Sequence, residues 1–240
     1  MYYKKFKTER FMCNKEGLMH LGYIFHYLND IMALNAESYG ASAEYHLNQG
    51  LAWVLVDYEV DIIRLPKSEE VLEIGTLPYS FKRMFGYRIY EFKHLGETLI
   101  KAKAKFVLID ISTKKVTKPS KAMLDLFKDA FKEPLTLDFT KINPDQPTLL
   151  KQMDYTITDY AIDVNDHMNN AYYPFIAFEG LSDTMIEPNQ VHKIRVSYKK
   201  EGLKNDNLFI NYYAINEGIY IEFTKHNECV NQIVLYKKTP

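Results

Sequence analysis

The chain has 240 residues, 47% hydrophobic and 25% charged, an ordinary globular composition that excludes a disordered or fibrous protein. Its 30 Lys and Arg nearly cancel its 31 Asp and Glu, so no global field advertises nucleic acid or an anionic membrane as partner. The 19 Tyr and 14 Phe suit a β-rich core better than a helical bundle.

Residues 3–11 alternate as a short strand does. Over residues 18–39, Leu21, Ile24, Phe25, Leu28, Ile31, Met32 and Leu34 recur at three- and four-residue steps, which predicts an amphipathic helix ended by Gly40. Runs rich in Val, Ile and Tyr follow at 51–63, 71–78, 83–92 and 98–110, punctuated by the turn Lys67-Ser68-Glu69-Glu70, Gly86 and Gly96. One strand, one long helix and four strands form an α+β pattern in which a sheet wraps a helix. Residues 118–147, carrying Pro119, Pro134, Pro144 and Pro147 and a helical stretch at 122–131, read as a linker. The order then begins again, with a strand at 155–160, a helix at 170–181, and strands at 193–199, 208–215, 219–225 and 230–237. Val60 to Ile74 aligns without a gap on Val196 to Ile210, 136 residues further on. Two similar units are therefore expected, 1–117 and 148–240, joined by 118–147.

Cys13 and Cys229 form no C-x-x-C spacing and read as free thiols of a reducing cytosol, neither of them catalytic. The charged N-terminus has no apolar stretch behind it, and no apolar run reaches the roughly 18 residues of a membrane helix. A cytoplasmic protein is the expectation.

The richest chemistry lies in Asp163-Val164-Asn165-Asp166-His167-Met168-Asn169-Asn170, between a strand and a helix. Asp163, Asn165 and His167 alternate, so in an extended loop their side chains share one side. A carboxylate, an amide and an imidazole so placed can activate a water and donate to a developing oxyanion. The same residues also make an Asx-rich turn feeding a helix, with Asn169 and Asn170 as caps, and spacing alone leaves both readings open. The other histidines have no metal-ligand spacing, and there is no G-x-S-x-G, P-loop or Rossmann glycine pattern. No metal and no cofactor are expected.

The pattern D-x-N-x-H-x-N-N-x-x-Y, filled by Asp163, Asn165, His167, Asn169, Asn170 and Tyr173, with Glu179 twelve residues after His167, resembles the acyl-acyl carrier protein thioesterases. The likeness extends over almost the whole chain, through Gly50-Leu51-Ala52-Trp53-Val54-Leu55 and 60–74 in the first half and Val196-Ser197-Tyr198-Lys199-Lys200-Glu201 in the second. It implies two tandem hotdog units, each a long helix wrapped by an antiparallel sheet. It also implies hydrolysis of the thioester of acyl-[acyl carrier protein], releasing a free fatty acid without a cofactor. By the same resemblance Asp163, Asn165, His167 and Glu201 are the catalytic set. Asn165 would hold the oxyanion, Glu201 and His167 would position and deprotonate a water, and Asp163 would orient its neighbours or act as a base. Asn169, Asn170, Tyr173 and Glu179 would support the loop or the substrate.

Relatives often carry a cysteine directly after the glutamate, where this chain has Gly202, so attack by water with no covalent intermediate is expected. At the offset of 136, Glu201 meets Leu65, and a looser comparison sets His20 against His167 and Leu18 against Asn165. The first unit would thus keep the fold, lack the site and shape the acyl cleft. An acidic carrier protein would dock on basic residues drawn from Lys193, Arg195, Lys199, Lys200, Lys204, Lys82, Arg83 and Arg88. Two units in one chain suit a monomer or a homodimer. The rival readings are an acyl-coenzyme A thioesterase of the same fold and a non-catalytic double hotdog that binds acyl groups.

Overall fold

A computed structural model describes residues 1–131, 137, 139–181 and 186–238; Pro134 of the expected linker lies outside them. Strand β1 (Tyr2–Lys7) leads through a 3-10 turn at Arg10–Met12 into helix α1 (Leu21–Ser38). The face of α1 bearing Leu21, Ile24, Phe25, Leu28 and Ile31 is buried, and Gly40 follows at φ +70°, a left-handed conformation that glycine adopts without strain. The helix starts later than the periodicity suggests because Leu18 bridges Lys67 and the Met19 N–H donates to the Pro66 carbonyl. Helix α2 (Ala43–Leu47), capped by Ser42 Oγ accepting from the Tyr45 N–H, is too short for a periodic signature. Strands β2 (Leu51–Ile62), β3 (Val71–Lys82), β4 (Phe85–His94) and β5 (Glu97–Asp110) follow, with the two-residue β6 (Val116–Thr117) paired to β5. The helix expected over 122–131 is the shorter α3 (Lys121–Asp125), after which turns carry the chain to Phe131.

The strand expected at 155–160 is β7 (Thr148–Thr156), and Tyr160 sits instead in a 3-10 turn at Asp159–Ala161. β7 pairs with β9 from Thr148↔Ala214 to Thr156↔Asn207 and lies at the edge of the sheet. With Lys151, Gln152 and Asp154 in its middle, it lacks a clean apolar alternation. Helix α4 (Tyr172–Glu179) is shorter than its expected span, because Asn169 and Asn170 form the entry turn and Gly180 closes it. Strands β8 (Val191–Tyr198), β9 (Asn207–Ile215), β10 (Gly218–Lys225) and β11 (Glu228–Lys237) complete the chain.

The strands join in one antiparallel sheet in the order β1-β3-β4-β5-β2-β8-β11-β10-β9-β7, with β6 beside β5. Read from its outer edge, the second half, β7-β9-β10-β11-β8, repeats the first, β1-β3-β4-β5-β2. Each half curls around its own helix, so the fold is α+β, two tandem hotdog units. The repeat is metrically tight: β2 ends at Ile62 and β8 at Tyr198, β3 begins at Val71 and β9 at Asn207, both 136 residues apart. The halves meet where β2 pairs with β8, through Asp57↔Ser197, Tyr58↔Val196, Glu59↔Arg195, Val60↔Ile194 and Asp61↔Lys193.

One hydrophobic core spans both units, including Phe25, Tyr58 and Phe92 of the first and Tyr173, Tyr212 and Phe223 of the second. The helices pack together at Gly22, where a Cβ would lie 2.8 Å from Cδ2 and 3.0 Å from Cα of Phe175. That contact leaves no room for a methyl group. Gly22→Ala should therefore push α1 and α4 apart and lower stability by about 1–3 kcal/mol. Chemical denaturation measures this, and an unchanged midpoint would show that the helices can slide past each other without loss.

Candidate active site

Residues 163–167 form a tight turn rather than an extended loop. Ile162 bridges Met168, the Asp163 N–H donates to the His167 carbonyl (2.9 Å), and the Asp166 N–H donates back to the Asp163 carbonyl (3.1 Å). Asp166 takes φ +61°, a conformation that short Asx side chains tolerate. The turn divides the alternating residues. Asp163 and Asn165, with Asn169 and Asn170, line a cavity of about 810 Å³ that reaches into the first unit, between α1, α2 and the sheet. His167 does not line it. Its Nε2 lies 3.0 Å from Oε2 of Glu201, with the two side chains 30% and 47% exposed. The Met168 N–H donates to the Gly202 carbonyl (2.8 Å), which ties the turn to the segment after β8 and brings the distant pair together.

Asn169 links the turn to the other unit. Its Oδ1 accepts from the Ala171 N–H (2.9 Å) and from Nδ2 of Asn29 on α1 (3.3 Å), and Asn29 Oδ1 accepts from the Tyr58 hydroxyl (3.0 Å). Tyr58 is fully buried, and burial holds its pKa well above the usual phenol value, so it stays a donor. The Tyr198 hydroxyl donates to the Asn170 carbonyl (2.9 Å). Tyr173 is buried against Tyr198 and Phe223, away from the cavity lining. Glu179 is exposed at the end of α4, near Tyr155 and Tyr212, and does not line the cavity either. Asn29 escaped the sequence reading. It lies four residues after Phe25 and three before Met32, inside an apolar stripe where a polar residue is the informative exception.

The first unit contains the same turn. Cys13 bridges Met19 as Ile162 bridges Met168, 149 residues further on, and Arg10–Met12 stands to Asp159–Ala161 in the same relation. Asn14 Oδ1 accepts from the N–H groups of Glu16 and Leu18 (both 3.0 Å), as Asp163 Oδ1 accepts from the Asn165 N–H (2.8 Å). Gly17 at φ +74° matches Asp166. The hydrogen bonds thus set Asn14 against Asp163, Glu16 against Asn165, Leu18 against His167 and His20 against Asn169. This corrects the comparison of His20 with His167, which followed residue type rather than backbone register. Leu18 and Leu65 stand where the imidazole–carboxylate pair stands in the second unit, and an amide at position 14 holds the turn as well as a carboxylate does.

Several expected docking residues are not available as an outer basic face. Lys193 pairs with Glu59 (2.8 Å), Arg195 is buried between Glu59 and the Thr140 carbonyl, and Arg88 is buried in the cavity wall. Lys199, Lys200 and Lys204 are exposed close to Glu201 in sequence, and Lys200 and Lys204 pair with Glu228 and Asp159. Among the described residues, no group of three or more His, Cys, Asp or Glu is placed to hold a metal, and no helix is long and apolar enough to cross a membrane.

Two hotdog units in one chain, with the His167–Glu201 pair at the turn of the second and, among the described residues, no such pair at the equivalent turn of the first, define a double hotdog with a candidate hydrolytic centre beside the cavity. The profile of the acyl-ACP thioesterase N-terminal domain matches residues 1–127 and that of the C-terminal domain matches residues 145–234, so the chain belongs to the acyl-ACP thioesterase family. Oleoyl-acyl carrier protein thioesterase 2, chloroplastic, from Arabidopsis thaliana is 23% identical over 167 residues, which are 65% of this chain and 46% of that protein. The match thus spans less than half of the curated relative. The fold is that of the 12:0-ACP thioesterase from Umbellularia californica (TM-score 0.86, 15% identity, 99% and 96% of the two chains). It is likewise that of an acyl-ACP thioesterase from Bacteroides thetaiotaomicron (TM-score 0.84, 18% identity, 99% and 97%).

No thiol is poised to act as a nucleophile. Cys13 and Cys229 are free, and neither lines the cavity. Burial pushes both thiols up, Cys229 to about 11 with a further contribution from Glu222, the reverse of an activated thiolate. At Gly202 a Cβ would lie 2.6 Å from Cδ1 of Ile157 and 2.7 Å from the Tyr173 hydroxyl oxygen, so a side chain there enters the core. Gly202→Cys should accordingly lower the melting temperature and resist iodoacetamide in the folded protein. Rapid labelling of the folded variant would show that position 202 faces the solvent or the cavity after all.

Proposed function

We propose that this chain hydrolyses the thioester of acyl-[acyl carrier protein], releasing a free fatty acid and ending chain elongation. The observation that carries this reading is the asymmetry between two equivalent turns. Only the turn of the second unit holds Asp163, Asn165 and the His167–Glu201 pair, and it opens on a cavity large and apolar enough for an acyl chain. In this reading residues 1–117 hold the acyl chain, 148–240 carry the reacting groups, and 118–147 join them, with Phe127 and Phe131 walling the cavity. The protein works in the cytoplasm as a monomer or homodimer, and the acidic carrier docks on Lys199, Lys200 and Lys204.

The geometry suggests a sequence of steps. The thioester carbonyl lies at the cavity end formed by Asp163 and Asn165. His167 donates from Nε2 to Glu201, which leaves the Nδ1 lone pair to take a proton from an attacking water, while Glu201 stabilises the imidazolium that forms. The new C–O bond puts charge on the carbonyl oxygen, to which the Asn165 amide donates. Collapse of the tetrahedral species breaks the C–S bond, and the leaving thiolate takes the proton from His167. Asp163 touches the cavity that His167 does not, which makes it a second candidate for the base. Asn14 of the first unit argues that its charge is not needed for the turn.

His167→Ala and Glu201→Gln should each lower kcat by roughly 10²–10⁴-fold with the fold intact. If they act on one water, the double variant should be barely worse than either single one. Asp163→Asn should keep the wild-type melting temperature, because Asn14 holds the equivalent turn, while losing turnover. Near-normal activity in folded His167→Ala together with an inactive Asp163→Asn would move the base to Asp163. Thiol release from the same acyl chain carried on carrier protein and on coenzyme A decides between this reading and an acyl-coenzyme A thioesterase. Tight acyl binding with no release from either would make the protein a non-catalytic binder.

A further inference from the structure

One wall of the mostly apolar cavity is a cation, and the carboxylates that share the lining, Glu37 and Asp163, make no ion pair with it. The space is lined by Met32, Leu51, Trp53, Leu55 and Phe106 among others, and Arg88 of β4, only 7% exposed, faces into it. Its Nη1 donates to Oδ1 of Asn35 on α1 (2.6 Å) and to Oγ1 of Thr76 on β3 (3.2 Å). Both acceptors are neutral. Among the described residues no carboxylate reaches ion-pair distance of Arg88, and its Nε and Nη2 donors have no protein acceptor.

Tying α1 to the sheet would need only the Nη1 bonds, and a neutral side chain could supply them. A buried guanidinium left without a counter-group is costly, and its free Nε–Nη2 edge is the planar fork that matches oxygen acceptors. We propose that the acyl chain taken by this cavity bears an oxygen function (hydroxyl, oxo or carboxylate) and that Arg88 selects for it. This inference rests on the thioesterase reading for its substrate, although the recess would bind the free acid as well. Position follows from the helix. Asn29 touches the turn through Asn169, whereas Asn35 holds Arg88, and six residues of α1 rise by about 9 Å. The oxygen therefore sits several carbons from the thioester, and one on the third carbon is out of reach.

Five acyl-carrier-protein substrates of one chain length test this: unsubstituted, 3-hydroxy, mid-chain hydroxy, mid-chain oxo and terminally carboxylated. The wild type should favour at least one of the last three over the unsubstituted chain by about 10-fold or more in kcat/KM, with the 3-hydroxy chain no better than unsubstituted. Arg88→Met should erase that preference, lowering the oxygenated arm and raising the unsubstituted one, and Arg88→Lys should retain part of it. Displacement of a fluorescent fatty acid by the five free acids should give the same order without any turnover. An absence of hydrolysis in every arm with this binding order preserved would remove the thioesterase reading and keep the recess. Wild-type preference for the unsubstituted acid, in binding or turnover, would overturn the proposal. So would an equal loss on all five in Arg88→Met, which would leave Arg88 a purely structural tie. Should Arg88→Met fail to fold, the wild-type binding order decides.

Discussion

The pairing of β2 with β8 is the constraint on which the rest of the molecule depends. It welds two curled half-sheets into one and sets the register across the seam. Because strand side chains alternate, that register sends Tyr58 inward to Asn29, while Glu59 turns outward to Lys193 (2.8 Å) and Lys103 (3.0 Å). Burial alone would raise the Glu59 pKa, but the two lysines outweigh it and hold the carboxyl below its ordinary range. A slip of one residue would exchange the two faces, bury Glu59 against the helices and take Tyr58 away from Asn29. Asn29 would then lose the bond that positions it for Asn169. The turn of the second unit is thus held over the cavity of the first by a strand register that acts through Tyr58 and Asn29.

Within that frame, a single turn geometry has two outcomes. Both units fold a short segment back between a 3-10 turn and a helix, and both hold it with an Asx oxygen and a left-handed residue. In the first unit the next positions are Glu16 and Leu18, against Leu65. In the second they are Asn165 and His167, against Glu201. The backbone accommodates either set, so the geometry of the turn does not dictate which side chains it carries.

Much of this was legible in the sequence, for physical reasons that differ by element. The apolar stripe of α1 marks a helix that buries one face, and the gapless offset between the β2–β3 and β8–β9 segments reflects a ladder that tolerates no insertion. The short α2 and most of the polar edge strand β7 were not legible, and the turn at 163–167 was one of two readings that the spacing left open. Their determinants are caps, an edge position and the left-handed backbone of Asp166, none of which leaves a hydrophobic period. Arg88 was misread as surface charge because arginines are mostly exposed. Its position carried the contrary signal: Gly86, Arg88, Tyr90 and Phe92 alternate along β4, and all four are buried.

The seam also bears on descent. Glu59 and Arg195 are equivalent residues of the repeat, paired with each other across β2 and β8, each only 8% exposed and 3.6 Å apart at their charged ends. If either half associated with a copy of itself along this edge, the same position would face its own image, carboxylate on carboxylate or guanidinium on guanidinium. Opposite charges at a self-facing position require two different sequences. Such a seam therefore discriminates against the symmetric dimer and makes each half an obligate complement of the other.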